Sequence, residues 1–118
     1  MAKADRLART EARLAEMEAE YARALIDALQ VTASGKWGLF DHQGHPPTRK
    51  ATAPVINHLD ELAAAINKAR DLLGLPDYEL HEEFQAARGP VRADAVGEPK
   101  QAKAWLDRLE AANAGELH

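Results

Sequence analysis

Between Lys3 and Ala33 the chain carries neither glycine nor proline. These two residues most disfavour a helix interior, so nothing in the stretch interrupts a helix. Leu7, Leu14, Met17, Tyr21, Ala24, Ala28 and Val31 recur there at heptad-like spacing, which places them on one helical face. The pattern predicts one long helix of about 45 Å, at 1.5 Å per residue. Gly35 follows and supplies a natural stop, since glycine can take the left-handed turn that ends helices. A chain that opens this way must fold around that rod.

The apolar stripe changes width along the rod. From Lys3 to Met17 it is a narrow seam of Leu7, Leu14 and Met17, with Thr10 in the missing position. From Tyr21 onward it broadens to include Leu25, Ile26 and Leu29. A narrow seam suits a partner helix and a broad one suits a globular core. Residues 1–17 are therefore expected to form a projecting, coiled-coil-like arm, and the rest of the helix to join the domain body.

A second amphipathic stretch is expected to start near Thr52, with Pro54 in its first turn, where a missing N–H does no harm. Val55, Leu59, Leu62, Ala63, Ile66, Ala69 and Leu73 mark its inner face, and Gly74 and Pro76 end it. That helix would be about 30 Å long, too short to cover the first from end to end. The mismatch leads us to expect a dimer. A short third helix follows Asp77, a plausible N-cap, with Tyr78, Leu80, Phe84 and Ala87 inward. Residues 89–99 read as a loop with a short extended piece near Val91–Val96. A fourth helix opens at Pro99, buries Ala102, Trp105, Leu106, Leu109 and Ala112, and closes at Asn113 and Gly115. The expected fold is all-α: a single domain over residues 1–118, built as a long antiparallel helical hairpin with two shorter helices across it. A turn-rich linker, residues 34–51, joins the hairpin's two arms, with room for a short β-bridge.

Alanine makes up roughly a fifth of the sequence and aromatics only 5%. Alanine favours helix but buries little surface, so the core must be thin and the few large side chains matter. The chain lacks cysteine, which removes disulfides and thiolate chemistry and fits a reducing compartment. It has no apolar run long enough to span a bilayer, and its start lacks the apolar core of a signal peptide. A cytoplasmic location without membrane contact is expected.

The linker concentrates the candidate chemistry. Trp37 and Phe40 sit among Gly35, Gly38 and Gly44, with Lys36, Leu39, Arg49 and Lys50 nearby. Aromatics beside cations make a recognition surface, and the same residues could plug the open end of a helical hairpin. His42 and His45 have H-x-x-H spacing, and His58 could add a third imidazole, a weak pattern for a metal site. His58 with Glu61, and His81 within "LHEEF", place imidazoles near carboxylates, the pairing that acid/base chemistry uses and that helix surfaces show far more often. A net charge of −4 and the small number of cations disfavour nucleic-acid binding through Lys36, Trp37, Phe40, Arg49 and Lys50. Residues 59–85 are acidic and could attract the basic linker.

The sequence therefore points to a non-catalytic protein-interaction or regulatory module that needs no cofactor. It would homodimerise through Leu7, Leu14, Met17 and Tyr21 and grip a protein partner with Lys36, Trp37, Leu39, Phe40, Arg49 and Lys50. The rival readings are a small metal-binding protein or enzyme using His42, His45 and His58, and a nucleic-acid adaptor.

Overall fold

The computed structural model describes residues 3–34, 46–88 and 98–116, and all of its described elements are helices. They are α1 (Lys3–Ala33), α2 (Pro46–Leu72), α3 (Glu79–Ala87) and α4 (Glu98–Glu116). Among the described residues no helix is long and apolar enough to cross a membrane. The expected β-bridge and the extended piece at Val91–Val96 lie outside the described residues.

The long helix forms as its sequence requires, running 31 residues without a break. Its last carbonyls are partly satisfied by the Ser34 N–H, which bonds to Gln30 and Val31, and by the Ser34 hydroxyl on Val31. Leu14, Tyr21, Leu25, Ala28 and Leu29 are buried, while every residue from Lys3 to Arg13 is exposed except half-buried Thr10. Of the narrow seam only Leu7 lies on the outer part of the helix; Leu14 joins the core and Met17 packs against it.

The second helix begins at Pro46 rather than near Thr52. Proline suits a first turn, and Pro46 and Pro47 supply that start. Pro54 consequently lies inside the helix, where it cannot donate to the Lys50 carbonyl. Leu59, Ala63, Ile66 and Ala69 face the core. The helix ends as a Schellman turn. Gly74 takes φ +71°, its N–H bonds to the Asp71 carbonyl at 3.1 Å, and the Leu75 N–H bonds to Arg70 at 2.8 Å.

α1 packs against both α2 and α4. The contacts climb α1 while descending α2: Glu18 meets Arg70, and Ala24–Val31 meet the stretch from Pro54 to His58. The two helices therefore run in opposite senses. α3 is short, and side chains fix its place. The Tyr78 N–H bonds to the Asn67 side chain of α2 at 2.8 Å, so the helix start is set by α2 and not by an Asp77 cap. Phe84 meets Trp105 of α4 edge to face at 6.0 Å, with Glu83 paired to Arg108, whose guanidinium lies 5.1 Å from the Trp105 ring centre. Arg70 ties three parts together. It bonds to Glu18 of α1 at 2.8 Å and to the Pro76 carbonyl in the turn before α3. In α4, Ala102 and Leu109 are buried and Trp105 and Leu106 half-buried, and the helix runs on through Asn113 and Gly115.

Candidate interaction surface and a buried polar network

The exposed large hydrophobic side chains among the described residues are Leu7, Leu72 and Leu75, at 37%, 66% and 41% exposure. All three line one groove of about 500 Å³, between the outer part of α1 and the end of α2. Leu14, Ala15 and Leu73 extend its floor, and Lys3, Glu11 and Glu18 rim it. The positions follow from local folding. Leu7, Leu14, Glu11, Ala15 and Glu18 recur at helical three- and four-residue steps, so they share a face of α1. The Schellman turn at Gly74 swings Leu75 back beside Leu72. Scattered surface leucines are ordinary, but three converging on a concave wall with a charged rim mark a surface fit for another apolar group.

A second cavity, of about 430 Å³, lies at the opposite end of the α1–α2 pair. It is lined by Ala24, Asp27, Ala28, Val31, Pro54, Val55 and His58. His58 is half exposed, and its Nε2 lies 4.0 Å from Glu20 of α1. The sequence pairs it with Glu61, one turn along its own helix, whereas the fold brings Glu20 to it from α1.

Between the two cavities runs a buried polar chain. The Tyr21 hydroxyl lies 2.6 Å from Nδ1 of His81, and Nε2 of His81 lies 3.3 Å from Asp60 Oδ1. Tyr21 is fully buried and His81 nearly so, while Asp60 is half exposed and also accepts from the Gln85 amide at 3.4 Å. Tyr78 closes over Tyr21 edge to face at 5.2 Å. Burial pushes the Tyr21 phenol well above its ordinary range, with Tyr78 and Asp60 adding to the effect. It therefore stays protonated and donates to Nδ1. The His81 proton then sits on Nε2, facing the carboxylate, an assignment made from these partners. Burial lowers the His81 pKa from its usual value, opposed by Asp60 and Glu82. Neither cavity touches this chain of groups. Its chemistry is that of a satisfied internal network that locks α1, α2 and α3 together.

The sequence-derived candidates distribute as follows. Lys36, Trp37, Leu39, Phe40, His42 and His45 lie outside the described residues. Arg49 belongs to α2, with its side chain outside the description, and Lys50 is exposed on the same helix. Leu7 is exposed on the groove and Leu14 is buried at its floor, while Met17 is half-buried and Tyr21 fully buried against its own chain. Among the described residues no group of three or more histidines and carboxylates is arranged to hold a metal. Leu72 and Leu75 escaped sequence reading because the helix-end signal around Gly74 draws attention to the turn and not to the wall it makes. The Asp60–His81–Tyr21 chain joins residues from three helices, and no local spacing announces it. No protein-family model, curated protein or solved structure matches the chain.

Proposed function

We propose that the protein is a non-catalytic helical interaction module that pairs with a second copy through the outer part of α1 and presents the Trp37–Phe40 segment to a protein partner. The observation that carries the reading is the convergence of Leu7, Leu72 and Leu75 on one groove. Burying them on association removes apolar surface from water, the general driving force for protein pairing. The polar groups best placed for chemistry, Tyr21 and His81, are enclosed and satisfied by one another, which supports a scaffold rather than a reaction centre. The Trp37–Phe40 half of the proposal rests on the sequence, where aromatics among glycines stand beside cations.

Sedimentation equilibrium of the full chain tests the pairing half. The expected mass is twice the 12.9 kDa of one chain. A single-chain mass at every concentration up to the millimolar range refutes it. Thermal denaturation of Trp37→Ala tests the other half. A melting temperature close to the parent's is expected for an outward-facing segment, and a fall of more than about 6 °C, roughly 1–2 kcal/mol for a domain of this size, refutes it.

A further inference from the structure

We infer that the second copy binds in an antiparallel, twofold arrangement, in which Leu7 of each chain seats on the Leu72–Leu75 wall of the other. This rests on the pairing reading above and specifies its faces and direction. Two independent features of the molecule select this occupant.

The first is that the unsatisfied apolar surface is self-complementary. A protruding leucine on α1 and a leucine wall at the end of α2 border one groove. A twofold axis beside that groove uses each feature twice, as an isologous interface does.

The second is charge. Lys3 rims the groove at its Leu7 end, and Glu11 and Glu18 rim it farther along the same face of α1. Asp71 precedes the leucine wall, and Asp77 and Glu79 follow it. Antiparallel pairing brings Lys3 of each copy toward the partner's Glu18 and the acids about its leucine wall. Parallel pairing sets Lys3 against Lys3, Glu11 against Glu11 and Glu18 against Glu18. Interfaces are steered toward the first arrangement and away from the second. Glu18 keeps its bond to Arg70 in either case.

The test uses the full chain. Leu7→Glu and Leu72→Glu alter side chains that are already exposed in a single chain, so each variant should retain the parent's helical circular dichroism and melting profile at low concentration. Each is expected to raise the dimer dissociation constant at least tenfold. Because the chain has no cysteine, two single-cysteine variants, Lys3→Cys and Leu75→Cys, can be mixed and oxidised to read the arrangement. Cross-links between the two different variants are expected in preference to Lys3→Cys pairs. A dimer whose affinity is unchanged in both glutamate variants overturns the proposed face while leaving pairing itself in place. Predominant Lys3→Cys homodimers overturn the antiparallel direction. A chain that never dimerises removes this arrangement together with the pairing reading.

Discussion

Removing one oxygen atom from Tyr21 should measure what the buried polar chain contributes. Tyr21→Phe keeps the ring, its edge contact with Tyr78 at 5.2 Å and nearly all of its volume, so it creates no cavity of consequence. What it removes is the O–H that reaches Nδ1 of His81 at 2.6 Å. His81 is only 8% exposed, so water cannot readily replace the lost donor. A buried acceptor left without its partner costs about 1–3 kcal/mol, whereas the bond itself would contribute only about 1 kcal/mol net. The expected loss is therefore about 1–3 kcal/mol, read as a lower midpoint at unchanged slope in guanidinium titrations at pH 7.5. Replacing both partners, as in Tyr21→Phe with His81→Leu, leaves neither group stranded. The double variant should lose clearly less than the sum of the single losses, with a coupling of about 1 kcal/mol or more. Tyr21→Phe within about 0.3 kcal/mol of the parent, or strictly additive losses, would refute the network as a unit.

Three further outcomes follow from named contacts. His81 has a folded-state pKa below its unfolded value, so between those two values the unfolded chain binds more protons. Its neutral form is thus favoured by folding at and above the unfolded value of about 6.5, and that stability drains away as pH falls from there toward the folded pKa. Calorimetry from pH 7.5 to 5.5 should show a falling melting temperature that His81→Leu flattens; an equal slope in both proteins speaks against the assignment. Arg70→Ala cuts the links to Glu18 and to the Pro76 carbonyl and should cost about 1–2 kcal/mol, moderated by the partial exposure of both charges. Its effect should persist in 0.5 M salt, because the carbonyl bond is not an ion pair. Gly74→Ala meets no neighbouring atom within 4 Å, so its expected cost of about 1 kcal/mol comes from the left-handed φ alone. Gly74→Asn should recover part of that loss, as asparagine tolerates the region better.

Periodicity made the helical architecture legible, because burial on a helix is a one-dimensional pattern. Leu59, Ala63, Ile66 and Ala69 are buried where their spacing puts them, and α1 enters the core at Leu14, before its stripe widens at Tyr21. The start of α2 was harder. Pro54 can open a helix or interrupt one, and the earlier prolines at 46 and 47 offer a start of their own, which is where the helix begins. Tyr21 illustrates a deeper limit. Its position identifies a seam, but a seam does not say whether the covering surface comes from the same chain. Here His81, Tyr78 and Asp60 converge on it, from residues about forty to sixty positions away. The groove is legible only in half, through Leu7, because its other wall depends on how a glycine turn folds back.

The case for a second copy consequently rests on surface and not on length. A helix of 27 residues spans about 40 Å against about 46 Å for one of 31, so α2 comes within about one turn of matching α1. Simple shortfall would leave only the tip of α1 bare. The exposure also reflects how little area the small core residues can cover. Among the described core positions Ala28, Ala63, Ala69 and Ala102 are alanines, which let helices approach closely but supply little apolar area. The largest fully buried apolar side chains are Tyr21, Leu25, Leu29, Leu59, Ile66 and Phe84. Among the described residues Leu7 stays exposed on the groove beside Leu72 and Leu75 at the end of α2. The mixed rim of Lys3, Glu11 and Glu18 around that open end gives a partner helix charges of both signs to register against.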